Sequence, residues 1–92
     1  YKNIFKTKDE RIIYLSAVEN ALKNNPQIKD ACIVQKKNEE PVIFIVGDKP
    51  LEKGVIRAVL KEVFNLAFSD EHIIFRDEFP YNSQGKINKD LL

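Results

Sequence analysis

The sequence is short of the residues from which most reactive sites are built. It holds one cysteine, Cys32, and one histidine, His72. A single thiol excludes an intrachain disulfide and a multi-cysteine metal site, and its place in the apolar run Ala31-Cys32-Ile33-Val34 reads as a buried, inert group. A single histidine offers no metal-binding cluster and no visible base for Ser83, so covalent hydrolysis is a poor reading. Neither sign of charge is in excess. Fifteen basic residues stand against 14 acidic ones, which removes the field that would hold a polyanion and argues against a nucleic-acid partner. No apolar run is long enough to span a bilayer and the amino end carries no signal-like segment, so a cytoplasmic protein without a membrane span is expected. Internal repeats and low-complexity tracts are also absent from the sequence.

What is present suits one domain over residues 1–92, with one modest core and no deep cleft of its own. The chain starts at Tyr1 rather than methionine, which reads as a piece of a longer protein. Ile4 and Phe5 lie in a short strand or incoming linker, and Lys8-Asp9-Glu10-Arg11 forms a charged turn into Ile12-Ile13-Tyr14. Ser16 stands three residues ahead of Glu19 in the arrangement of a capping box, which predicts a helix from Ser16 with Val18, Ala21 and Leu22 on its apolar face. Asn24-Asn25-Pro26 ends it. Ala31 to Val34, preceded by Ile28-Lys29-Asp30, reads as a buried strand, Lys36 to Glu40 as a turn, and Val42 to Val46 as an antiparallel partner strand stopped by Gly47. Leu51, Val55, Ile56, Val59, Leu60, Val63 and Phe64 recur at helical spacing, with Gly54 drawing the start of that helix inward from Lys49-Pro50. His72 to Phe75 is a further strand, and Asn88 to Leu92 resembles the start of a helix. The pattern predicts a two-layer α+β domain: a small mixed or antiparallel sheet of about three strands, joined by Ile12 to Tyr14, with helices packed on it and a lysine loop at the C-terminal end.

That loop, Phe79-Pro80-Tyr81-Asn82-Ser83-Gln84-Gly85-Lys86-Ile87, carries the candidate chemistry. Pro80 and Gly85 bracket it, and Lys86 follows the glycine as a compact cation with three donors. A phosphate-binding P-loop is excluded, because Pro80 stands where its first glycine belongs and Ile87 where its serine or threonine belongs. Lys86 therefore reads either as a lysine reaching an anion held elsewhere or as an ordinary surface lysine after a turn. Tyr81 either stacks on a base or stabilises the loop. Lys86 and Lys89 make only a small basic spot.

Phe79-Pro80 followed at this length by Gly85-Lys86-Ile87, then Lys89 and Leu92, resembles the small C-terminal domain of the adenylate-forming enzymes: acyl- and aryl-CoA synthetases, peptide-synthetase adenylation domains and beetle luciferases. Val18-Glu19 with Leu22, Asp30 to Val34, Pro41 to Val46 and Leu51 to Phe64 match that family's upstream elements in order. The resemblance implies a domain that is inactive alone and closes over a larger N-terminal adenylation domain. That larger domain would bind most of the ATP, Mg2+ and carboxylic acid. Lys86 would be the catalytic lysine, with Pro80, Tyr81, Ser83, Gln84 and Gly85 supporting its loop. Asn3 would fall at the hinge, so that residues 1–15 form the hinge side and 79–92 the lysine loop with a short terminal helix. CoA, or the phosphopantetheine arm of an acyl carrier protein, would be the acceptor. Departures occur at Gln84, where serine is usual, and at Thr7, Glu10 and Ala17, where the family has lysine, glycine and glutamate. The alternative they raise is a non-catalytic interaction or regulatory module with the same fold.

Overall fold

The computed structural model describes residues 4–7, 9–35, 40–48 and 51–92. The expected hinge residue Asn3, together with Lys8, Lys36 to Glu39 of the predicted turn and Lys49-Pro50, lies outside the described residues. Two short strands come first, β1 (Ile4–Lys6) and β2 (Ile12–Tyr14), followed by helix α1 (Leu15–Lys23) and strands β3 (Ile28–Val34) and β4 (Val42–Gly47). Helix α2 (Lys53–Phe64), a 3-10 turn at Asp70–His72, strand β5 (Ile73–Phe75) and a 3-10 turn at Lys89–Leu91 complete the order.

β3, β4 and β5 form one sheet in that order. β3 and β4 are antiparallel as expected, with Ile33 opposite Ile43, and β5 runs parallel to β4 with Ile73 opposite Ile43. A parallel pair needs a crossover, and α2 supplies it. Side chains of a strand alternate between faces. Ala31, Ile33, Ile43, Ile45 and Ile73 thus point into one core with Val18, Leu22, Ile56 and Leu60 of the two helices. Cys32, Val34 and Phe44 point to the other face, where Phe79, Ile74, Ile87 and Leu92 cover them. Burial on both faces explains why β3 and β4 read as continuous apolar runs rather than as alternating ones. The α+β class, the three-stranded sheet and the helices on it agree with the sequence reading. The second face is closed by the C-terminal segment itself.

Two local expectations are corrected. Ile12 to Tyr14 does not join the main sheet; it pairs with β1 as a separate antiparallel ribbon, Phe5 opposite Ile13. The outer edge of β3 is already occupied, because Ile33 N donates to Glu19 Oε2 at 2.8 Å and Lys89 Nζ approaches Ile33 O at 3.5 Å. Charged side chains there leave no ladder for another strand. The same contact removes the capping box: α1 begins at Leu15 after an uncapped Tyr14, and Glu19 serves the strand edge instead of its own helix. Leu15, Val18 and Leu22 form the buried face, each contributing about 1.5–3 kcal/mol from full burial.

α2 matches its periodicity, with Ile56 and Leu60 fully buried, and starts at Lys53, one residue before Gly54. It ends at Asn65, whose left-handed backbone (φ 53°) lets Asn65 N donate to Lys61 O at 3.0 Å and Leu66 N to Leu60 O at 3.1 Å. This double closure reverses the chain and explains why the apolar pattern fades after Phe64. No helix among the described residues is long and apolar enough to cross a membrane.

Candidate functional site

The lysine loop is a hairpin. Tyr81 bridges Ile87, Asn82 N donates to Lys86 O at 2.7 Å, and Asn88 N donates to Pro80 O at 2.7 Å. Its tip is the three-residue connection Ser83-Gln84-Gly85, closed by Gly85 N donating to Asn82 O at 3.0 Å. Such connections turn on a left-handed residue at their third position, and Gly85 has φ 78°. A Cβ on Gly85 would meet nothing within 4 Å. The glycine is therefore required by its backbone angle, not by close packing.

Asn82, which the sequence reading did not single out, organises the tip. Its Oδ1 accepts from Gln84 N at 2.9 Å and from Lys86 N at 3.0 Å. Asparagine favours this folding of side chain onto backbone, and that preference is the signal that would have found it. Ser83 and Gln84 are exposed at the turn. Pro80 follows Phe79, which is 3% exposed and anchors the hairpin in the cluster with Cys32 and Phe44.

Lys86 lies on the returning arm of the hairpin, exposed, and its ammonium makes no hydrogen bond or ion pair among the described residues. Its charge and three donors are thus available to an external anion. Lys89, by contrast, is half-buried and turned toward the β3 edge. Tyr81 OH donates to Asp30 Oδ2 at 2.8 Å, a contact that raises the phenol pKa above its ordinary value. The contact ties the Tyr81 side chain to β3. Cys32, beneath the hairpin, has its thiol pushed up to about 11, chiefly by burial, as expected for an inert thiol.

The β1–β2 turn repeats the same construction. Thr7 N donates to Arg11 O at 2.9 Å, Glu10 N to Thr7 O at 3.0 Å, and Arg11 N to the Thr7 hydroxyl at 3.0 Å. Glu10 takes the left-handed position with φ 67°, although glutamate is disfavoured there. It is the position that the family resemblance gives to glycine. Arg11 then reaches α2: Nη1 donates to Phe64 O at 2.6 Å and Nη2 to Asn65 O at 3.2 Å, placing a cation on the helix C-terminus.

A groove of about 620 Å³ opens beside this turn, with Arg11, Leu66, Phe68 and His72 among its walls. Lys86 does not line it, so the concavity and the candidate lysine occupy different places. His72 is tied into local structure, its Nδ1 2.8 Å from Ser69 Oγ and its Nε2 3.3 Å from Glu40. Among the described residues no group of three or more His, Cys, Asp or Glu is arranged to hold a metal. What the lysine hairpin offers is one cation for an oxygen of an anion, which fits a nucleotide or carboxylate held by another surface and does not fit a self-contained nucleotide or magnesium site.

A family model described as the AMP-binding enzyme C-terminal domain matches residues 17–86. A long-chain-fatty-acid–CoA ligase of Thermus thermophilus is 31% identical over 99% of the chain, which spans 18% of that relative's length. Surfactin synthase subunit 3 of Bacillus subtilis is 30% identical over 87% of the chain, which spans 7% of it. Among solved structures, Klebsiella oxytoca NpsA in complex with 3-hydroxyanthranilyl-AMSN shares the fold at TM-score 0.78 and 17% identity, over 95% of this chain and 18% of that one. On the family match, residues 17–86, the chain belongs to the AMP-binding enzyme C-terminal domain family.

Proposed function

We propose that the chain is the lid of an ATP-dependent carboxylic acid ligase, supplying Lys86 to an active site whose other wall is a larger N-terminal domain. The reaction is formation of an acyl-adenylate and pyrophosphate, followed by transfer of the acyl group to the thiol of CoA or of a carrier protein's phosphopantetheine. The single observation that carries this reading is the Lys86 ammonium, exposed beside a hairpin tip whose backbone is held by four hydrogen bonds. A cation carried on a held backbone to charge that shifts between carboxylate and phosphate lowers the barrier by stabilising that charge as it develops. ATP, Mg2+ and the acid would be held mainly by the larger domain, since Lys86 offers one charge and no cradle. The need for ATP supports a cytoplasmic setting.

The departures at Thr7, Glu10 and Ala17 raise a non-catalytic module as the other reading. The backbone of the β1–β2 turn favours the enzyme. Glu10 holds a left-handed angle that costs a non-glycine residue about 1–2 kcal/mol, the angle that a glycine at that position would adopt freely. The test uses the product of the full reading frame with Mg-ATP and a panel of carboxylic acids. Lys86→Ala is expected to lower acid-dependent pyrophosphate release by about 100-fold or more; release at the parent rate would refute the assignment.

A further inference from the structure

Apolar contacts hold the lysine hairpin down on the sheet through Phe79, Ile87 and Leu92. Such contacts are non-directional and do not by themselves set the angle at which a ribbon stands. A directional contact is made by Tyr81, which lies opposite Ile87 and directly precedes Asn82, the residue that pairs with Lys86 across the hairpin. Its hydroxyl donates to Asp30 Oδ2 at 2.8 Å. Asp30 is itself pinned: its Oδ1 accepts from Ala31 N at 2.9 Å and lies 3.4 Å from Lys23 Nζ at the end of α1, and its side chain is 22% exposed. The β3–β4 register shifts between Ile28 and Asp30. Bulges of this kind re-aim side chains, and this one falls at the carboxylate that receives Tyr81.

We propose that Asp30, acting through Tyr81, is a positioning residue for Lys86, setting the tilt of the hairpin that presents the ammonium. The proposal rests on the reading of Lys86 as the catalytic lysine. Misplacing a catalytic group by about 1 Å can cost on the order of 100-fold in rate, whereas a hairpin kept down by its apolar anchors should drift less than that.

The test uses the full-length protein and acid-dependent exchange of pyrophosphate into ATP. Tyr81→Phe keeps the ring and removes the hydroxyl; Asp30→Ala removes the acceptor; Asp30→Asn keeps one. The first two are expected to lower kcat about tenfold, with KM for ATP and acid changed by less than about twofold, because substrate binding belongs to the other domain. Asp30→Asn should stay within about threefold of the parent. The double variant Tyr81→Phe/Asp30→Ala should be no slower than the slower single, as expected of groups acting as one unit. Parent-like kcat in Tyr81→Phe, with Lys86→Ala inactive, overturns the positioning role alone. Parent-like exchange in Lys86→Ala overturns the functional reading instead. A second readout is independent of activity. Cys32 shares its cluster with Phe79 and Ile87, so loosening the hairpin should raise thiol labelling of Cys32, followed on its own peptide, about tenfold in Tyr81→Phe. Labelling at the parent rate in that variant overturns the proposal whatever the activity.

Discussion

Gly85→Ala should destabilise the domain even though the added methyl group touches nothing. The nearest heavy atoms lie beyond 4 Å from the Cβ position, so packing contributes no penalty. The cost is confined to the backbone angle, φ 78°, which disfavours an L-residue by about 1–2 kcal/mol. Alanine also reduces the freedom of the unfolded chain, which offsets about 0.4–1 kcal/mol of that loss. The net expectation is about 1 kcal/mol, or a fall in melting temperature of about 4–8 °C for a domain of this size. Gly85→Asn should lose less, because asparagine tolerates the left-handed region. The β1–β2 turn provides the mirror experiment. Glu10 occupies the matching position at φ 67°, so Glu10→Asn should raise the melting temperature by a few degrees, on the order of 0.5–1 kcal/mol. The ion pair it gives up, Lys6 Nζ to Glu10 Oε1 at 3.9 Å with both side chains largely exposed, contributes about 0–0.5 kcal/mol and should not reverse the sign. Thermal unfolding followed by circular dichroism reads both variants. A Gly85→Ala protein as stable as its parent, or a Glu10→Asn protein clearly less stable, would refute the account of the two turns.

Two further outcomes follow from contacts away from the lysine hairpin. Arg11→Ala removes both donors from the C-terminal carbonyls of α2 and should cost about 1 kcal/mol or more, read as a lower denaturant midpoint with an unchanged slope. Cys32 carries a thiol pushed from 9.0 to about 11 by burial. The folded state keeps its proton to higher pH than the unfolded state, so this contribution to stability is complete below about pH 9 and is lost between 9 and 11. Cys32→Ser would bring its own packing cost, so the comparison is Cys32→Ala. Its denaturant midpoint should fall less than the parent's across that interval, and equal falls would contradict the assignment of burial as the cause.

Elements built from local signals were legible in the sequence. Val42 to Val46 announces a strand as a short run of β-branched and aromatic residues stopped by Gly47, and Leu51 to Phe64 a helix because its apolar residues repeat at helical spacing. What stayed hidden depends on which groups meet across space. Glu19 has the spacing of a capping residue, yet its carboxylate finds Ile33 N on a neighbouring strand, and no window around Ser16 contains that information. β2 has the composition of a strand but is kept from the main sheet by the same occupied edge. At the site, Gly85 and Lys86 stand out by residue type. Asn82 carries only the turn preference common to asparagines, and Asp30 is 51 residues from Tyr81, its partner. The equivalence of the two turns was equally obscured, because Glu10 performs with a side chain what Gly85 performs without one.

The most direct test of the central claim separates the two lysines of the C-terminal segment. In the full-length protein, a single turnover with Mg-ATP and an accepted carboxylic acid is quenched and the acyl-adenylate is measured by mass spectrometry for Lys86→Ala beside Lys89→Ala. The account predicts that Lys86→Ala forms adenylate about 100-fold or more slowly, while Lys89→Ala, whose ammonium faces Ile33 O on the sheet edge, stays within about tenfold of the parent. Adenylate formed at the parent rate by Lys86→Ala, or the larger loss in Lys89→Ala, would contradict it.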